Sequence, residues 1–261
     1  METQNSSSEL PAEAGGPPAS AGSAIPAAVI DASLALCLSD IDGEDFDSMV
    51  ALYGKEDEQR EVIIKKSRDI LKLSKQAIFA LHRRDVEQAR RNLTQCQSFI
   101  AEVLPITEEF PVLRFVGIFV GALEEMAEAQ IFLSFLTEHR LPRFESLHPL
   151  RVEEYLGGLM DFTGELNRYA VLRATEQDLA SVSLCKDFVN RIHEKMLLLD
   201  LRNSPLRRKY DTLKYTEKKL EALCYELKMG EILQGMFLAS ARMEPEPIVT
   251  KGEQEEGEEK K

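Results

Sequence analysis

Apolar side chains recur every three to four positions from about residue 44 to residue 240. In the region before residue 82, Ile63, Ile70, Ala77 and Leu81 follow this spacing, which places them on one face of a helix. No segment shows the strict alternation of apolar and polar residues that is typical of a half-buried strand. The pattern therefore predicts an all-α protein.

Turn and capping residues divide this region into six to seven predicted helices. Asp85 is a suitable N-cap after the break at Arg83, and Pro105 and Gly230 are expected to end helices. Thr107 is expected to cap the helix that follows Pro105. The predicted helices span about 57–82, 85–103, 107–139, 151–173, 175–201 and 204–229, with a short amphipathic segment to residue 239. Long helices joined by short loops pack as an antiparallel bundle.

The two ends of the chain differ from this region in composition. Residues 1–43 are rich in Pro, Ala, Gly and Ser, and residues 244–261 are strongly acidic. Neither segment has enough large apolar side chains to form a core, so both are predicted to be disordered. Residues 44–243 are predicted to form one helical domain, which is long enough to bury a substantial core.

The sequence indicates a reducing compartment. The four cysteines (Cys37, Cys96, Cys185 and Cys224) are widely spaced without a CxxC pair, which disfavours structural zinc and a disulfide framework. The N-terminus lacks the basic start of a secretory signal. No segment reaches the roughly 18 uncharged apolar residues of a transmembrane helix. We therefore expect a cytoplasmic or nuclear protein that has no contact with a membrane.

The formal net charge of −13 disfavours binding of nucleic acid over the whole surface. The basic residues are clustered, however, at positions 65–68, 82–84, 90–91 and 207–209. A concave surface that gathers such residues can still hold a phosphate backbone, because the attraction depends on local rather than total charge.

Two pairs of carboxylates are the strongest chemical signal in the chain. Glu125 and Glu128 are spaced i,i+3, and Asp161 and Glu165 are spaced i,i+4, so each pair lies on one face of a predicted helix. Like charges on adjacent turns destabilise a helix, and their burial without a partner costs far more. Mg²⁺, or Mn²⁺ in its place, prefers such oxygen ligands and would neutralise them. The sequence therefore predicts a site for one or two metal ions held by these four residues.

The simplest alternative is that these acids are solvated charges on exposed helix faces. Their neighbours argue against it, because large apolar residues flank both pairs and glycines at 157, 158 and 164 interrupt the second helix. Glycine in a helix costs about 1 kcal/mol relative to alanine, so it is tolerated where another backbone or a ligand comes close. Glu124 and Glu154 are further acids, expected either to support the site from outside it or to be solvated.

A di-iron bundle is the alternative metal site. It requires Glu-x-x-His motifs on its helices, and the one match, Glu145 to His148, lies between Pro142 and Pro149 in a predicted loop. The histidines form no catalytic set that their spacing identifies, and the chain has no glycine-rich phosphate loop. These observations favour the site made of oxygen ligands.

Four stretches of this sequence carry a resemblance to a known family. They include Lys66-Ser67-Arg68-Asp69-Ile70, the Leu-x-Glu-x-x-Glu-Ala segment at 123–129, the segment 154–168, and Arg208-Lys209-Tyr210-Asp211-Thr212-Leu213-Lys214-Tyr215. In this order they resemble the translin family. The first three are similar to its translin-associated factor X branch, and the last is more similar to its translin branch. The resemblance covers roughly residues 57–240.

The resemblance implies an all-helical subunit that assembles into a barrel-like octamer and binds single-stranded RNA, or DNA, in its interior. It also implies that Glu125, Glu128, Asp161 and Glu165 serve a metal-dependent endoribonuclease, since they match the acidic set of the translin-associated factor X branch. The translin branch lacks that complete set. The oligomer is expected to be either a homo-oligomer or a mixed ring with a translin-type subunit.

Candidate phosphate contacts are Lys66, Arg68, Lys75 and Arg114, and each could equally be an ordinary surface or ion-pairing charge. Arg114 is the one charge left in the segment 111–117. At this place the translin branch has a basic and aromatic segment that is implicated in nucleic-acid binding. The basic residues at 207–209 are expected to pair with acids at a helix start or at a subunit contact.

The sequence thus predicts a metal-dependent endoribonuclease subunit that acts on single-stranded RNA. The first alternative is a non-catalytic scaffold that binds single-stranded RNA or DNA, in which the acids are structural. The second is a helical adaptor whose acidic tail recruits other proteins. The adaptor would neither bind oligonucleotides nor form a large ring.

Overall fold

The computed structural model describes residues 42–241, and this part of the chain folds into six α-helices without any strand. The helices are α1 (Gly43–His82), α2 (Val86–Glu109), α3 (Gly117–Glu138), α4 (Val152–Thr175), α5 (Leu179–Met196) and α6 (Pro205–Ala241), and two 3₁₀ turns span Pro111–Phe115 and Phe144–Leu147. The all-α prediction is confirmed. The predictions for residues 1–41 and 244–261 lie outside the described residues.

Three predicted helix ends are wrong. Pro105 lies inside α2, where the burial of Leu104 and Ile106 against the core offsets the lost backbone hydrogen bond. Thr107 lies in the same helix, and its hydroxyl donates to the Leu104 carbonyl at 2.8 Å. Gly230 does not adopt the left-handed conformation of a C-cap, so α6 continues through it. Helix α1 also begins well before residue 57.

Helices α1 and α2 form an antiparallel hairpin. Arg84 has a left-handed backbone conformation (φ 63°) at the turn between them. The Asp85 side chain caps α2 by accepting the Gln88 N–H at 3.0 Å, which confirms the predicted cap. Farther from the turn, the side chains of Ser74 and Cys96 are in contact across the two helices.

Among the described residues, those up to Gly54 and those from Lys55 onward form separate units, each of which makes most of its contacts within itself. Residues 43–54 are the first part of α1 and expose Phe46, Val50 and Tyr53. Residues 55–241 contain the core and the two cavities described below.

Helix α3 lies at the centre of this core, and α4 crosses it at a glycine. Phe132 and Phe162 are fully buried between the two helices. A Cβ atom on Gly158 would lie 2.6 Å from the carbonyl oxygen of Glu124 and 2.8 Å from the backbone nitrogen of Glu128. Glycine is needed at this position because the two backbones touch. The crossing therefore brings the acidic segment of α3 next to that of α4.

Helices α5 and α6 complete the bundle by packing against α4 and against each other. Val189 and Ile192 of α5 and Leu213 and Leu220 of α6 are buried in this layer. Among the helices of residues 42–241, none combines the length and the apolar character that crossing a membrane requires.

Candidate active site

Three of the four predicted carboxylates line one cavity where α3 and α4 cross. This cavity of about 270 Å³ is lined by Glu125, Glu128 and Glu165, together with Lys75, Ile78, Phe79 and Arg168. The charge of Asp161 also acts on Glu125 and Glu128, so it belongs to the same group. We refer to this space as the carboxylate cavity.

Glu128 is buried, with only 7% of its surface exposed. Burial, reinforced by the charges of Glu125, Asp161 and Glu165, raises the pKa of Glu128 to about 9. Burial also raises the pKa of Glu125, although the charge of Lys75 opposes that shift. A carboxylate in this position is not a solvated surface charge, so the simplest alternative fails for Glu128.

Asp161 and Glu165 have partners within the protein. The Lys209 ammonium donates to Asp161 at 2.6 Å and to Glu124 at 2.7 Å, and His82 Nε2 is hydrogen-bonded to Glu165. Burial opposes the charged form of Lys209, but the two carboxylates outweigh it and raise its pKa. Lys209 therefore supplies part of the positive charge that the carboxylates require.

Neither Lys209 nor His82 was predicted from the sequence as part of this site. Lys209 was expected to pair with acids at a helix start or a subunit contact, whereas its partners lie in the middle of α3 and α4 of the same chain. His82 lies at the end of α1, and no nearby acid in the sequence indicates that it belongs to this site. His82 lies on α1 and Lys209 on α6, so only the packing of these helices against α3 and α4 brings both side chains to the acids.

The donor set suits a hard divalent cation, since all four predicted ligands are carboxylates and one of them is buried among like charges. The present side-chain positions are not yet those of a coordination shell. Within residues 42–241, no three Asp, Glu, His or Cys side chains are gathered closely enough to hold one ion. Lys209 contacts Oδ2 of Asp161, and His82 contacts Oε2 of Glu165.

Arg114 and Glu154 form a structural ion pair away from this cavity. The Arg114 guanidinium donates to both oxygens of Glu154 at 2.7 and 2.6 Å, and Glu154 is fully buried. Glu154 also accepts the backbone N–H of Arg151 at 2.8 Å, which caps α4. The prediction of a phosphate contact at Arg114 is therefore not supported, because a buried carboxylate needs this guanidinium. The solvated alternative for Glu154 is wrong for the same reason.

The other predicted phosphate contacts lie on two faces of α1. Lys66 pairs with Glu102 at 2.6 Å and lies over the Phe99 ring, on the face toward α2. Arg68 and Lys75 lie on another face, which is exposed. The structure therefore brings Lys75 to the carboxylate cavity and does not bring Lys66 there.

Arg68 and Lys75 belong to a longer row of exposed side chains. At spacings of three and four residues, Arg68, Lys72, Lys75, Phe79 and Arg83 follow one face of α1. We call this row the basic stripe. Among the residues that the structure describes, Arg68, Lys72 and Lys75 form no ion pair with a carboxylate, so their charges face solvent.

The predicted loop position of the di-iron alternative is confirmed. Glu145 lies in the second 3₁₀ turn, and His148 follows it, outside any α-helix. Neither residue lines the carboxylate cavity.

Comparison with known proteins shows likenesses in sequence to one family model and to three individual proteins. The model of the translin family matches residues 58–230. Translin from Homo sapiens and translin from Gallus gallus are each 38% identical over 80 residues, which cover 31% of this chain and 35% of the relative. The chain thus matches about a third of the length of these curated relatives. An uncharacterized protein of Methanocaldococcus jannaschii is 25% identical over 198 residues, or 73% of this chain and 88% of that protein.

Two solved structures have the same helical fold. The crystal structure of apo-NeC3PO has a TM-score of 0.64 at 23% identity, and the match covers 70% of this chain and 96% of that chain. The structure of AfC3PO with duplex RNA has a TM-score of 0.66 at 21% identity, and the match covers 72% and 98%.

Proposed function

This chain belongs to the translin family, and we propose that it is an endoribonuclease subunit that cleaves single-stranded RNA with Mg²⁺ or Mn²⁺ inside a translin-type oligomer. The observation that carries the proposal is the position of Glu128. A buried carboxyl group among three other acids is costly to ionise, and a bound cation would offset that cost.

The carboxylates of Glu125, Glu128, Asp161 and Glu165 would hold the metal. When bound, Mg²⁺ supplies an activated water and neutralises charge on the reacting phosphate. Lys75 lies at the edge of the carboxylate cavity, where its ammonium can hold a phosphate oxygen. His82 is hydrogen-bonded to Glu165 and so can fix the orientation of that carboxylate.

The basic stripe supports RNA binding by an acidic protein. Its cations lie in one row on α1 and lead to the carboxylate cavity, so they act locally on a phosphate backbone despite the net charge of −13. AfC3PO has been solved with duplex RNA. For this chain we propose single strands, because a strand with unstacked bases can follow the stripe and deliver one phosphate to a cavity of about 270 Å³.

The exposed apolar side chains of α6 and of the segment before it support the oligomer. Leu197 and Leu198 are exposed, and so are Ile232, Leu233 and Met236. Large exposed patches of this kind mark subunit contacts. We propose an octamer, made of copies of this chain or of this chain with a translin-type subunit. Sizing by mass, with and without such a partner, tests it, and a monodisperse monomer at micromolar concentration would contradict it.

Cleavage of a labelled single-stranded RNA tests the enzyme. The full chain, alone and with a translin-type subunit, should cleave it in Mg²⁺ and not in EDTA, and duplex RNA should be cleaved more slowly. Glu125→Gln and Asp161→Asn should abolish cleavage without loss of helix content or RNA binding, and Glu226→Gln, an exposed acid of α6, is the matched control. Full activity in Asp161→Asn would contradict the site.

The second candidate function is a non-catalytic scaffold that binds single-stranded RNA or DNA. The ion pair of Lys209 with Asp161 and the hydrogen bond of His82 with Glu165 favour it, because they give two of the acids a partner without metal. RNA binding without cleavage, together with no change in melting temperature on addition of Mg²⁺, would select the scaffold.

A further inference from the structure

A second cavity opens beside the carboxylate cavity, between the end of α1 and the start of α2. It has a volume of about 470 Å³ and is lined by Lys75, Gln76, Phe79, Arg83, Gln88 and Asn92. We call it the side cavity. The two cavities share Lys75 and Phe79, so they are adjacent along α1.

Phe79 is a flat, accessible surface in this cavity. Its side chain is 53% exposed, although its neighbours Ile78 and Ala80 are buried in the core and fix the helix face that it occupies. The Arg83 guanidinium lies over its ring at 4.7 Å from the centroid. An aromatic ring stacked with a guanidinium is the surface on which proteins stack the bases of single-stranded RNA.

Asn92 provides a hydrogen-bond donor deeper in the same cavity. It is 6% exposed, and its Oδ1 accepts a hydrogen bond from Gln88 Nε2 at 2.8 Å. Gln88 Oε1 in turn accepts one from Arg91 at 2.8 Å, which fixes the orientation of both amides. Within the described part of the chain, Asn92 Nδ2 has no protein acceptor. Because Asn92 lines the side cavity, this amide N–H can donate to an acceptor on a ligand.

We propose that the side cavity binds the nucleobase next to the scissile phosphate. The base stacks on the Phe79–Arg83 pair, an acceptor on its edge takes the hydrogen bond of Asn92, and Lys75 contacts the phosphate that enters the carboxylate cavity. This inference rests on the proposed function. It assigns base contact to Phe79 and Asn92, and phosphate contact to Lys75.

The experiment measures binding of single-stranded RNA in EDTA, which prevents cleavage, at several salt concentrations. Stacking contributes about 1–3 kcal/mol per base, so Phe79→Leu should weaken binding about 5- to 140-fold. Its dependence on salt should not change, because no phosphate contact is lost. Phe79→Trp should restore binding, whereas Lys75→Gln should weaken it and lower the slope of log K against log salt by about one.

An RNA with a single abasic position provides the matched test. When the abasic nucleotide is at the position that enters the side cavity, the wild-type protein should bind this RNA more weakly than the intact strand. Phe79→Leu should bind both strands equally. A 2-aminopurine at that position should be quenched by the wild type and not by Phe79→Leu. If the wild type binds and cleaves RNA but Phe79→Leu does so equally well, the side cavity is not a base site and the proposed function stands.

Two other outcomes would also overturn the inference. A change of oligomeric mass in Phe79→Leu would assign the ring to a subunit contact. An absence of RNA binding by the wild type, alone and with a translin-type subunit, would overturn the inference and the proposed function together.

Discussion

Replacement of Glu128 by Gln is expected to stabilise the protein when metal is absent. Glu128 is buried beside three other acids, and its pKa is about 9, compared with an ordinary value of 4.5. Between these two values the folded protein keeps a proton that the unfolded chain releases. The free energy of unfolding therefore falls as the pH rises from about 4.5 to about 9. Glutamine keeps the shape of the side chain without this cost.

The size of the effect follows from the shift. Each pKa unit corresponds to about 1.4 kcal/mol, so at pH 7.5 the variant should be more stable by on the order of 2–4 kcal/mol. The difference should shrink toward zero below about pH 4.5, where both states carry the proton. Urea denaturation in EDTA at a series of pH values measures it. Glu226→Gln, an exposed acid of α6, should stay within about 0.5 kcal/mol of the wild type throughout.

Metal should narrow this difference. Mg²⁺ that binds only the folded state stabilises it by about 2.7 kcal/mol at 100 times its dissociation constant, and Glu128→Gln would lose part of that gain. Equal stability of wild type and variant at pH 8 in EDTA would refute the argument that Glu128 is a buried acid among like charges. An equal Mg²⁺ effect on both proteins would remove Glu128 from the metal ligands.

Three further predictions concern the supports of the site. Gly158→Ala should lower the free energy of unfolding by more than about 2 kcal/mol, because its Cβ would overlap the α3 backbone. Gly164→Ala should not destabilise the protein, because nothing lies within 4 Å of the added Cβ. Urea denaturation of both variants measures this difference. Lys209→Met removes the cation that competes for Asp161, so Mg²⁺ should bind more tightly by calorimetry, and unchanged affinity would show that Lys209 does not compete. Arg114→Met leaves a buried carboxylate unpaired and should cost roughly 3–5 kcal/mol, and a large loss of RNA affinity in a folded variant would restore it as a phosphate contact.

The features that were predicted correctly depend on residues close together in the sequence. The i,i+3 and i,i+4 spacing of the acidic pairs places each pair on one helix face wherever the helix lies, and the cap at Asp85 is formed by its own neighbours. The adjacent glycines at 157 and 158 are also a local signal, since a glycine pair inside an apolar helix indicates that another backbone or a ligand comes close. The approach itself, between α3 and α4, was not identifiable from spacing.

The features that were missed depend on contacts between distant residues. Lys209 is 48 residues from Asp161, and His82 is 83 residues from Glu165. No local pattern marks such pairs, because the bundle topology decides which helix faces meet. Pro105 was misread for a related reason, since the helix continues through it when its neighbours are buried in tertiary packing.

The crossing at Gly158 has a mechanical consequence. Because backbone meets backbone there, the distance between the acidic segments of α3 and α4 is set by two rigid peptide chains and not by adaptable side chains. Core substitutions elsewhere, which are absorbed by rotamer changes, should loosen the bundle without altering this separation. With the helix separation fixed at the crossing, the four acids can adjust to an ion mainly by rotation of their side chains.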